Sequence, residues 1–82
     1  MDIDTEDVLL TIDHPFGRIE VTLAEWMRTG PGPRKFVRPV EARRRSTGEA
    51  LPLTVIPLRY RNDKETRRLI AEGEIEPPWP AG

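Results

Sequence analysis

The chain predicts an α+β domain: a small, mostly antiparallel four-stranded sheet with two short helices packed on one face, in the order ββαββα. Three observations carry this. A strict apolar–polar alternation follows a Pro-Gly turn. Two short segments have helical spacing and begin with capping residues. Nine prolines and six glycines punctuate only 82 residues, so every element must be short.

Residues 1–7 form an acidic lead-in that is expected to be flexible, which places the single folded domain at residues 8–75. Val8 to Asp13 is a strand-like apolar run. His14-Pro15-Phe16-Gly17 then reads as a turn, because proline presets φ at the second position and glycine suits the exit. Arg18 to Leu23 alternates, with Arg18, Glu20 and Thr22 on one face and Ile19, Val21 and Leu23 on the other, as a half-buried strand requires. These two strands pair as a hairpin.

Thr22-Leu23-Ala24-Glu25 is a capping-box pattern, in which the threonine oxygen takes an orphan N–H and Glu25 reaches back. Leu23, Trp26 and Met27 fall on one face of the helix that follows, which puts Trp26 in the core. Gly30 and Pro31 stop it. A helix of about two turns does not stand alone in water, so it leans on the sheet.

Lys35 to Arg43 reads as a third strand, with Pro39 marking it as an edge or as bulged. Ser46-Thr47-Gly48-Glu49 is a turn cluster. Leu51 to Tyr60 is the longest apolar run, and Pro52 and Pro57 make it either an edge strand or two broken pieces. Asn62 offers a helix cap with Glu65 three residues on. Thr66, Leu69, Ile70 and Gly73 continue at helical spacing to a stop at Gly73. The tail, residues 76–82, is expected to be extended. It either docks back, with Trp79 plugging the core, or offers Pro77, Pro78, Trp79 and Pro80 to a groove on another protein.

Size limits what such a chain can bury. A domain of this length hides roughly 60–65% of the surface its unfolded chain exposes. There is no cysteine for a disulfide, and with one histidine no metal site is expected. A partner subunit therefore gains weight as the source of extra burial. No stretch approaches the roughly 20 apolar residues of a membrane span. The acidic opening Met1-Asp2-Ile3-Asp4 is unlike the basic start of a signal peptide, so a cytoplasmic protein with no membrane partner is expected. Arginine outnumbers lysine eleven to two, which fits a GC-rich bacterial genome.

The net charge of −1 hides a strong polarity: residues 1–27 carry −6, residues 28–68 carry +8 and residues 69–82 carry −3. The positive third contains Arg34, Lys35 and Arg38, then Arg43, Arg44 and Arg45, then Arg59, Arg61, Lys64, Arg67 and Arg68. Guanidinium forks match phosphate oxygens, and a two-stranded ribbon can enter a major groove. The opposing view is a solvated surface whose bases pair with acids of the same chain, such as Asp2, Asp4, Glu6 and Asp7.

Candidates for chemistry are few. His14 is the first residue of a turn. Ser46 lies in a turn cluster without a rigid setting. Gly30-Pro31-Gly32-Pro33 is no phosphate loop, since its prolines remove the backbone donors. No catalytic, cofactor-binding or metal-binding residue is expected, and no enzyme. The expected function is a non-catalytic protein-interaction or accessory module that self-associates. The alternative is a nucleic-acid-binding protein that uses the basic 34–45 hairpin and the 59–68 surface. A third possibility is a small anionic ligand held by Arg59, Arg61 and the second helix start, where free N–H groups attract anions.

Overall fold

Alternation, turn chemistry and proline placement build the observed sheet almost strand by strand. The computed structural model describes residues 4–29 and 37–78. Strand β1 (Val8–His14) pairs antiparallel with β2 (Gly17–Thr22), from Leu9 opposite Thr22 to His14 opposite Gly17. The turn between them closes as its residues dictate: His14 Nδ1 accepts from the Phe16 N–H at 3.2 Å, and Gly17 has φ +127°. Helix α1 (Leu23–Thr29) begins directly after β2, and Thr22 Oγ1 accepts from the Glu25 N–H at 3.1 Å.

Strand β3 (Arg38–Arg44) lies on the other side of β1, and β4 (Ala50–Leu51) lies beside β3, giving the order β2-β1-β3-β4, antiparallel throughout. Of the two arrangements Pro39 allows, edge or bulge, the bulge is present. Thr11 faces Glu41, but Ile12 faces Pro39, which leaves Val40 as the extra residue. Among the described residues Pro39 has no ladder partner on its outer side, because β4 reaches only Ala42 and Arg43. Lys35 and Phe36, expected to open this strand, lie outside the described residues.

The run from Leu51 to Tyr60 departs furthest from a strand. It pairs for one residue, Leu51, and then forms two 3₁₀ turns, Leu53–Val55 and Leu58–Tyr60. Pro52 and Pro57 occupy the position before each turn. Two prolines five residues apart remove ladder donors and leave only short local bonds, so the run breaks as their spacing demands. Helix α2 (Lys64–Ala71) follows. Its cap is Asp63, which accepts from the Thr66 N–H at 2.7 Å, and not Asn62 as the sequence reading expects. It ends as expected: Gly73 at φ +77° bonds to the Ile70 carbonyl, and Glu74 bonds to the Leu69 carbonyl, a Schellman closure.

The core forms on one face of the sheet. Val8, Leu10 and Ile12 of β1 are fully buried, as are Leu23 of α1 and Ile56, and Trp26, Val37 and Ala42 are buried with them. Val21, Met27, Leu51, Val55 and Tyr60 pack around them. Each large apolar side chain fully buried contributes about 1.5–3 kcal/mol. Helix α1 lies directly on β1 and β2, whereas α2 packs chiefly on the Leu58–Tyr60 turn. The acidic segment ahead of β1 holds local structure, since Asp4 caps a 3₁₀ turn over Thr5–Asp7.

Among the described residues two polar side chains are buried, and both tie distant segments together. Asn62, 2% exposed, donates Nδ2 to the Val37 carbonyl at 2.6 Å. Thr66, fully buried, donates Oγ1 to the Leu58 carbonyl at 3.0 Å. Among the described residues, no buried side-chain nitrogen or oxygen lacks a partner. No helix among them is long and apolar enough to cross a membrane.

Candidate interaction surface

The basic residues fall on two sides of the sheet instead of forming one face. Arg38 and Arg43 stand opposite Asp13 and Leu9, on the side away from the helices. Arg59 lies in the second 3₁₀ turn, Arg61 directly after it, and Lys64, Arg67 and Arg68 on α2, along the stretch whose Ile56 and Tyr60 join the core. Arg34 and Lys35 lie outside the described residues.

Many of these side chains already hold partners in their own chain. Arg43 hydrogen-bonds Glu20 across β1. Arg44 lies 3.8 Å from Asp7 and 3.6 Å from Glu49. Arg61 folds back to donate Nε to the Ile56 carbonyl at 2.8 Å and a second nitrogen to the Thr54 carbonyl at 3.3 Å. Arg67 Nε reaches the Asp63 carbonyl at 3.4 Å. Arg68 bridges Glu65 and Glu72, each at 2.6 Å, and these two bonds raise its pKa further above the ordinary arginine value. Arg59 lies over the Tyr60 ring, 5.1 Å from its centre. Arg38, Arg45 and Lys64 are exposed.

The hairpin tip is pinned by Asp7. Its two carboxylate oxygens accept from the Ser46 N–H at 2.9 Å and the Ser46 hydroxyl at 2.8 Å, and its carbonyl accepts from the Arg45 N–H at 2.7 Å. The acidic lead-in thus covers part of the arginine run. At the start of α2, the Asp63 carboxylate supplies the negative charge that the helix N-terminus attracts.

A different surface lies at the opposite edge of the sheet. Along β2, residues 17–20 are exposed, Ile19 to 52% and the preceding Phe16 to 95%. Beside them is a mostly apolar hollow of about 280 Å³, lined by Ile12, His14, Ile19, Val21, Glu25, Trp26 and Val37. Trp26 is held there by its indole N–H, which donates to the Tyr60 carbonyl at 2.7 Å. Sequence alternation places Ile19 on the apolar face but does not reveal that α1 leaves it half uncovered. The signal that was present is Phe16, a large apolar side chain at a turn tip where polar residues are preferred.

The chain matches no protein-family model, no curated protein and no solved structure. Of the tail residues put forward as protein contacts, Pro77 is exposed and Pro78 half-buried, while Trp79 and Pro80 lie outside the described residues.

Proposed function

We propose that this chain is a non-catalytic protein-interaction module that docks through the β2 edge. The observation that carries the proposal is the composition of that edge. Strand β2 offers six residues without a proline or bulge, and among the described residues no strand pairs with its outer side. Long edges left open usually carry devices that prevent pairing, and an exposed apolar edge attracts another strand. Here Ile19 and Phe16 are exposed beside an apolar hollow, which is the arrangement that strand addition uses: backbone groups bind and pockets select side chains. With no cysteine the fold requires no oxidising compartment, which is compatible with action in the cytoplasm.

Phosphate binding by the arginines is the less supported alternative. Arg43, Arg44 and Arg68 face carboxylates of their own chain, and Arg61 is spent on backbone carbonyls. Capture of partners from nuclease-treated lysate, read by mass spectrometry, separates the two. Ile19→Lys and Phe16→Ser should abolish capture, while Arg43→Ala, Arg44→Ala and Arg45→Ala combined should leave it intact. Capture that depends on the arginines, or that disappears with nuclease, would transfer the function to nucleic acid.

A further inference from the structure

We infer that the occupant of the β2 edge is a second copy of this chain, joined antiparallel with Ile19 facing the partner's Ile19. The inference rests on the proposed use of that edge and adds the identity and register of what binds there.

Register follows from two constraints. A continuous sheet that keeps both helical layers on one side must pair residues of like parity, because side chains alternate and a one-residue slip reverses the face. Like parity centres the pairing on a single residue, and the registers centred on Arg18, Ile19 or Glu20 are those that set the charged residues of β2 against each other. Centring on Arg18 sets arginine against arginine. Centring on Glu20 sets glutamate against glutamate. Centring on Ile19 sets Arg18 against the partner's Glu20 twice by symmetry, with the two isoleucines between. Opposite charges directly across a strand pair stabilise it and like charges oppose it, so only the third register is self-complementary.

The existing sheet is already prepared for this pairing. Arg38 stands opposite Asp13, Asp13 opposite Arg18, and Arg18 Nε lies 3.8 Å from the Asp13 carboxylate. The partner's Glu20, whose Oε2 accepts from its own Arg43, would bridge two arginines and extend this row of alternating charge across the seam. Antiparallel pairing also carries the partner's turn, with its exposed Phe16, past Val21 toward the first turn of α1 and the apolar hollow. The assembly stops at two. The far edge is β4, two residues long and followed by Pro52, so it cannot continue the sheet.

Sedimentation equilibrium of the purified chain, from micromolar to hundred-micromolar concentration, tests this. Wild type should approach twice the 9.4 kDa chain mass. Arg18→Glu alone and Glu20→Arg alone should each weaken dimerisation about tenfold or more, since each creates two like-charged pairs. The double variant R18E/E20R should recover the homodimer, and an equimolar mixture of the two single variants should form a heterodimer, which also shows that both fold. Circular dichroism of each variant checks the monomer fold. A wild-type chain that stays monomeric, or a dimer indifferent to both single charge reversals, overturns the inference. A monomer whose capture of other proteins is still lost on Ile19→Lys overturns self-pairing and leaves edge docking in place. Capture unaffected by Ile19→Lys overturns edge docking itself.

Discussion

Asn62 donates its side-chain amide to the backbone carbonyl of Val37, twenty-five residues earlier, at 2.6 Å. The link joins the entrance of α2 to the entrance of β3, and it does so from a residue at φ +48°, where side chains are rarely tolerated. Asparagine meets both demands: it visits the left-handed region more easily than most residues, and its amide supplies a donor to a buried carbonyl.

Replacement of Asn62 therefore has two separable costs. Asn62→Gly keeps the backbone conformation but removes the donor, and should destabilise the fold by about 1–3 kcal/mol. Asn62→Ala removes the donor and adds left-handed strain, about 1 kcal/mol more. Urea denaturation should place the two variants in that order, alanine below glycine. The reverse order would mean that the positive φ contributes nothing.

Gly73 tests backbone conformation without crowding. An added Cβ there meets nothing within 4 Å, yet φ is +77°. Gly73→Ala should cost about 1 kcal/mol, and Gly73→Asn less, because only the backbone preference changes. Thermal unfolding of the two variants measures it.

The Arg43–Glu20 pair should matter little to stability, although it spans three strands. Both side chains are about half exposed, 42% and 50%. A double-mutant cycle should return a coupling below about 1 kcal/mol that shrinks as salt is added. A larger, salt-insensitive value would show the open face of the sheet to be shielded from water.

Asp7 should behave differently, because its carboxylate accepts two directed bonds from Ser46. Asp7→Ala should cost about 1–2 kcal/mol. Amide exchange read by NMR should accelerate at Arg45, Ser46 and Gly48 and remain unchanged at Leu10. Equal acceleration at both places would mean that the loop and sheet open together.

Local rules read well wherever the deciding residues are neighbours. His14-Pro15-Phe16-Gly17 closes its turn, Thr22 caps α1, and Gly73 ends α2, each through bonds of at most five residues. The bulge at Pro39 was legible for the same reason: proline lacks the donor that an even register needs. In Leu51–Tyr60 the two prolines leave an edge strand or a break open, and the break is what forms. Asn62 defeated local reasoning because a cap and a long-range clamp look alike in sequence; only the position of Val37 separates them. Of the candidate sites, the charge segregation was plain, but its partners were not. Glu20 and Asp7 meet Arg43 and Arg44 only because β1 and β3 are adjacent. Of the β2 edge only Phe16 at the turn tip was legible, since whether α1 covers Ile19 depends on the angle at which the helix crosses the sheet.

The strand order has a consequence for how the chain is made. β1 sits between β2, its next neighbour in sequence, and β3, which is not complete until residue 44. As synthesis proceeds from the N-terminus, the first hairpin and α1 can assemble from nearby contacts, whereas β3 must close a much longer loop. During that interval the strand destined for the middle of the sheet is itself a free border. A nascent chain therefore passes through a stage with two sticky rims where the finished one keeps a single long one.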